Sequence, residues 1–271
     1  TILAQLESRK PIAGIIVSHH HADHVGYAGA LAAITGTPIF MGAREYEETS
    51  LLLGYSDKEA ADISSRAFSN FGLDNISVNR RRNRGNYFRT LVADLPEVQI
   101  VEQGHIFETI AGRWEVRFDA GHSPGHMSLV DHARHLYIGV DFLLPRISPN
   151  ISVALRDPDH DVLADYFSYL EEMCALEKDW LVIPGHDWPF YGGAPRARQL
   201  IKHHESRLRQ LLANGEPLTT NLAMAILFPF ELTDHEIYFA SCEARAHLNQ
   251  LVTRGKMTRS IEGGIAIFYP H

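Results

Sequence analysis

Only two of the 271 residues are cysteine, Cys174 and Cys242. Both sit in helix-like stretches, so nothing points to a disulfide-stapled secreted fold. No apolar run approaches the length needed to cross a bilayer. A basic excess is missing as well: 25 Lys and Arg face 33 Asp and Glu, a net charge of −8. A general nucleic-acid binder would carry a basic stripe, so that class is disfavoured. Internal repeats and low-complexity tracts are also lacking. A soluble, cytoplasmic protein is the expectation, unless a leader has been removed ahead of Thr1. The apolar fraction of 45% suffices for a large core.

What the chain does have is histidine, concentrated at residues 18–24, Ser-His-His-His-Ala-Asp-His. His19, His21 and His24 offer imidazoles and Asp23 a carboxylate. The β-branched run at 15–17 reads as a buried strand that delivers them into a turn. Alternation along an extended segment predicts His19, His21 and Asp23 on one face, with His24 swinging inward and His20 pointing away. Four such groups in six residues point to a metal site.

The pattern recurs. Strand-like residues 114–119 lead into Gly121-His122-Ser123-Pro124-Gly125-His126, 136–140 into Asp141, and 180–183 into Pro184-Gly185-His186. Ligands on loops at strand ends over a rigid sheet are where function is expected. Five imidazoles and two carboxylates exceed one tetrahedral zinc and suffice for two divalent ions sharing a bridge such as Asp141. Water between two such ions loses a proton near neutral pH and becomes a nucleophile.

The order of elements predicts layered α/β packing. Residues 1–9 read as a helix end, 27–35 as a helix, 39–41 and 98–101 as strands, 43–72 as helical, and 160–176 as a longer helix. Residues 79–85, rich in arginine, read as a basic loop. Beyond residue 195 the pattern is helix 196–213, a short helix after Pro217, and a helix capped by Thr233. A glycine-turned hairpin over 257–269 follows. This is the order of a winged-helix module, which gives a domain over residues 1–195 and a second over 196–271. The His203-His204 pair is expected at the surface.

The motifs resemble the metallo-β-lactamase superfamily: His19, His21, Asp23 and His24 match its His-x-His-x-Asp-His signature. Gly121-His122, Pro124-Gly125-His126, Gly139 to Asp141 and Pro184-Gly185-His186 follow in the family's order. The resemblance implies an αββα sandwich in which His19, His21 and His122 hold one metal and Asp23, His24 and His186 the other. Asp141 would bridge, and Asp23 would also orient the bridging hydroxide or take its proton. Ser18 and His126 would support the ligands. Family members carry several strands ahead of the first motif and this sequence has room for one, so an incomplete first sheet is expected.

Among the branches, zinc β-lactamases of the best-known kind place cysteine where Asp141 stands, and diiron oxygen-reducing members lack a histidine equivalent to His21. RNA-processing members with a large insertion need a longer stretch between Asp141 and His186. The remaining branches resemble glyoxalase II, lactonases and lactamase-like proteins with a winged-helix tail. They imply a zinc (or iron, or manganese) hydrolase of small esters, thioesters or lactones, lined by Phe142, Leu143, Trp188 and Tyr191. The alternative is an endoribonuclease gripping phosphates with the tail and the 79–85 loop. The tail carries nine Lys and Arg against seven Asp and Glu, weak support for it. A homodimer contact is a further expected role for the tail.

Overall fold

The computed structural model describes residues 12–271. The helix end expected at 1–9 lies outside the described residues. Two sheets form the interior. The first has three parallel strands in order β1 (Ile15–Val17), β2 (Ile39–Gly42), β3 (Val98–Val101). Parallel neighbours require crossovers, supplied between β1 and β2 by α1 (Ala22–Val25) and α2 (Ala28–Thr35). Between β2 and β3 run α3 (Ala43–Gly54), α4 (Asp57–Asn70) and α5 (Asn75–Arg82).

The second sheet has six strands in sequential order: β4 (Ile106–Thr109), β5 (Gly112–Asp119), β6 (His126–Asp131), β7 (Leu136–Val140), β8 (Leu181–Pro184) and β9 (Phe190–Tyr191). The two sheets face one another through Val101, Val116 and Met127, with Phe40, Phe118 and Leu129 packed around them. Val17, Val25, Ala28, Ala32, Ile39 and Met41 form the apolar layer between the first sheet and its helices. On the far side, α6 (Val162–Met173) presents Tyr166, Phe167 and Leu170 to the main core. The layers run α, β, β, α, as the family resemblance implied.

After β9 come α7 (Gly193–Ala213), β10 (Leu218–Thr219), α8 (Thr220–Leu227), α9 (Asp234–Thr253), β11 (Met257–Glu262) and β12 (Ile265–Pro270). The last three strands form a sheet in order β10-β12-β11. The Thr233 cap of α9 is a full capping box with Glu236. This C-terminal stretch shares one core with the sandwich: Phe71, Tyr166 and Leu170 belong to the same buried cluster as Leu208, Leu248 and Phe268.

Several elements differ from the sequence reading. The helical stretch 43–72 is two helices, because Ser56 caps a new one through a capping box with Glu59. The basic loop expected at 79–85 is in its first half the end of α5. The strand β10 was not foreseen, since two residues carry no period. His204 is buried rather than at the surface, because α7 turns that face onto α9.

Candidate metal centre

The centre lies where the C-terminal ends of β1, β5, β7 and β8 feed their loops. After Val17 the chain leaves the extended state and turns into the four-residue helix Ala22–Val25. That turn overrides the alternation expected along 19–23, so Asp23 joins His24 instead of His19 and His21. The result is two groups whose ligand atoms lie within 4.8 Å of one another: His19, His21, His122 and Asp23, His24, Asp141, His186.

In the first group, His19 Nε2 lies 3.1 Å from His21 Nδ1 and 3.3 Å from His122 Nε2. His122 Nδ1 is 2.9 Å from the Asn150 carbonyl oxygen, which can only accept, so that nitrogen carries the proton. Its Nε2 is then a bare lone pair. Ser18 Oγ similarly occupies Nδ1 of His19 at 3.0 Å. Burial first, and then the neighbouring histidines, depress the pKa of His19 and His21. Burial likewise outweighs the charge of Asp141 to depress that of His122. Neutral imidazoles with converging lone pairs suit a cation and repel one another without one.

The second group is more open. Asp23 is 58% exposed and His186 48%, measured on their side chains. His186 Nε2 lies 3.2 Å from Asp23 Oδ2 and 3.3 Å from Asp141 Oδ2. His24 Nε2 lies 3.2 Å from Asp141 Oδ2 and 3.6 Å from Asp23 Oδ2. Burial lowers the His24 pKa, but its hydrogen bond to Asp141 and the two carboxylate charges leave it raised overall. For Asp141 burial works upward, and the surrounding histidines hold its carboxyl below the usual range.

Asp141 joins the groups. Its Oδ2 is 3.7 Å from His122 Nε2 and 4.0 Å from His19 Nε2, besides its contacts with His24 and His186. Its Oδ1 is buried and has no hydrogen-bond partner among the described residues, as a ligand oxygen awaiting a cation would be. This donor set fits two divalent ions.

The supporting chain is tight. Val140 is held at a φ of 43°, costly for a β-branched residue, and the register shifts beside it. Gly185 is required by closeness: a Cβ there would sit 2.2 Å from Asp141 Oδ1. Gly121 combines a φ of +130° with a would-be Cβ 2.8 Å from the Tyr166 backbone. His126 is fully buried, and its Nε2 accepts the Asp141 amide at 3.3 Å.

Glu45, in the first turn of α3, is a residue that sequence reasoning missed. Fully buried, it accepts hydrogen bonds from His20, Ser123 and Gly125 and so ties both histidine loops together. Its only sequence signal is an acidic side chain one turn past a strand that ends beside the first motif. His20, as expected, stays out of both metal-ligand groups. Phe142 and Leu143 line no open pocket: at 1% and 0% exposure they pack in the core, and Phe142 lies edge-on to His126 at 4.4 Å. β7 ends at Val140, so the next two apolar residues turn inward behind Asp141. Trp188 and Tyr191 are 76% and 66% exposed. Among the described residues no helix is long and apolar enough to cross a membrane.

Comparison with known proteins follows the same lines. Residues 208–270 match the model of the metallo-beta-lactamase-like C-terminal domain. A beta-lactamase domain protein from Burkholderia ambifaria superposes with a TM-score of 0.90 at 30% identity, over 99% of this chain and 79% of that one. A metallo-beta-lactamase family protein from Thermus thermophilus superposes with a TM-score of 0.81 at 24% identity, over 99% of this chain and 84% of its own. Among curated relatives, exodeoxyribonuclease WalJ of Streptococcus pneumoniae is 23% identical over 120 residues, 41% of this chain. The match spans 44% of that relative's length. Residues 2–186 match the family model itself, and the chain belongs to the metallo-beta-lactamase superfamily, a family of hydrolases.

Proposed function

We propose that the chain is a dinuclear metal-dependent hydrolase of a small ester, thioester or lactone. The observation that carries this reading is Asp141 Oδ2, within 4.0 Å of nitrogens from four histidines drawn from both groups. His19, His21 and His122 would hold one cation; Asp23, His24 and His186 the other; Asp141 would bridge. When bound, the pair would polarise the oxygen of the scissile group and bring the pKa of water near neutrality. Zinc suits so many imidazoles, and iron or manganese suits the mixed nitrogen and oxygen set.

The chain's own groups do the rest. Asp23, exposed beside His186, would orient the attacking water or take its proton on the carboxylate oxygen that the cation leaves free. Ser18 orients His19, and His126 fixes the backbone at Asp141. Trp188 and Tyr191 would form an apolar lip for the acyl portion. Residues 1–195 would form the catalytic unit, and 196–271 a winged-helix-like unit that covers it or serves a homodimer. With only two cysteines in the sequence, the chain would suit a cytoplasmic setting.

A second reading, a metal-dependent nuclease, is favoured by the partial likeness to exodeoxyribonuclease WalJ. The net charge of −8 weighs against it. The test is turnover of metal-loaded protein on two panels, acyl thioesters with lactones and short single-stranded RNA and DNA, each with a chelator control. Chelator-sensitive turnover of the small esters alone supports the first reading. Cleavage of nucleic acid alone overturns it in favour of the second.

A further inference from the structure

A separate cluster of metal-binding side chains lies where α7 packs on α9. His203, His204 and Glu243 each offer a ligand atom within 4.8 Å of the others. His204 and His247 are fully buried. A backbone carbonyl fixes where their protons sit. His247 Nδ1 is 2.8 Å from the Glu243 carbonyl oxygen, which only accepts, so Nδ1 carries the hydrogen. Burial lowers the pKa of both rings below the ordinary histidine value. His247 Nε2 is then a lone pair, and His204 Nδ1, 3.1 Å away, must donate to it.

His204 Nε2 is thereby left bare, buried and without a hydrogen-bond partner among the described residues. The same atom of His203 is also buried and unpartnered. Beside them lies the buried carboxylate of Glu243, whose Oε1 accepts from Arg207 Nη1 at 2.5 Å.

We infer that His203, His204 and Glu243 form a second site for a single transition-metal cation of the Zn2+ type, clamping α7 to α9. Two imidazoles and one carboxylate select zinc-like ions over magnesium or calcium. Such ligands stand about 2.0–2.1 Å from zinc, so a small closure of the cluster completes the shell and water supplies the fourth position. His247 is the outer partner that fixes the ring and tautomer of His204. The guanidinium of Arg207 opposes a cation, so this site is weaker than the dinuclear centre and gives up its metal to a chelator first.

The test counts Zn2+ equivalents on the full chain after dialysis, using mass spectrometry of bound metal and circular dichroism to verify folding. H203Q and E243Q are each expected to bind one equivalent fewer than the unmodified chain. The H122A/D141A variant, damaged at the other centre, is expected to retain one. Equal loading of H203Q and the unmodified chain overturns the inference, as does a metal-free H122A/D141A. Should E243Q fail to fold, H203Q at its half-buried position carries the test. Anomalous diffraction at the zinc edge is expected to show a peak between α7 and α9, and a zinc-soaked crystal without it overturns the site.

Discussion

Glu45 receives two hydrogen bonds from His20, one from the backbone N–H at 2.9 Å and one from Nδ1 at 2.8 Å. Its other oxygen accepts from Ser123 Oγ at 2.7 Å and from the Gly125 amide at 2.6 Å. One buried carboxylate therefore fixes the spacing between the loop of His19 and His21 and the loop of His122. Burial alone would raise its pKa, but the bonds from His20, Ser123 and Gly125 hold it below the ordinary carboxylate range.

Removing that carboxylate leaves several buried donors without an acceptor. Glu45→Ala is expected to destabilise the chain by about 2–4 kcal/mol, since each stranded buried donor costs about 1–3 kcal/mol. Metal content should fall with it. Denaturant unfolding beside metal analysis checks this, and a fully metal-loaded, equally stable variant would refute the clamp.

Asp141→Ala and His122→Ala are each expected to lower bound metal and turnover together, by at least about 100-fold in rate, the upper end of what even supporting residues cost. Full activity in either would sink the dinuclear assignment.

His126 stands outside both ligand groups, yet it accepts the Asp141 amide. His126→Phe should keep the fold and weaken metal affinity by about 10–100-fold. A competition titration with a chromophoric chelator measures it; unchanged affinity would mean that His126 only fills space.

Trp188 and Tyr191 are exposed, and their truncation to Ala should change stability by no more than about 0.5 kcal/mol. If they form the lip for the acyl group, KM rises with acyl-chain length in these variants while short acyl substrates are unaffected. Identical kinetics on every chain length would remove them from the substrate site.

Tyr137, Tyr166 and Tyr169 are fully buried, and burial raises all three pKa values, Tyr137 to about 12. Their folded pKa values lie above the unfolded value near 10, so the stability they contribute is complete below pH 10 and is lost as pH rises through the folded values, about 12 for Tyr137. Each group costs about 1.4 kcal/mol per pH unit in that window. The phenolate absorbance of these three should therefore appear together with loss of ellipticity. Phenolate signal from all ten tyrosines in a still-folded chain would contradict the burial.

The sequence by itself determined the family, the layered α/β class and the seven side chains that crowd the centre. These follow from local signals: apolar runs of strand length, each ending in a ligand-bearing turn, and caps such as Thr233 with Glu236. Local alternation put Asp23 with His19 and His21, the family resemblance put it with His24, and the tertiary structure settles that conflict in favour of His24. A single helical turn, Ala22–Val25, moves Asp23 from the side of His19 to that of His24, because rotation per residue changes from a strand's half-turn to a helix's hundred degrees. It also decided burial. Glu45, Phe142 and His204 read in the sequence as a helix charge, a pocket aromatic and a surface histidine. Each is buried by an element far away in the chain, and no local pattern carries that information: Glu45 by the loop of Gly125, Phe142 by Tyr169 of α6, His204 by His247 of α9.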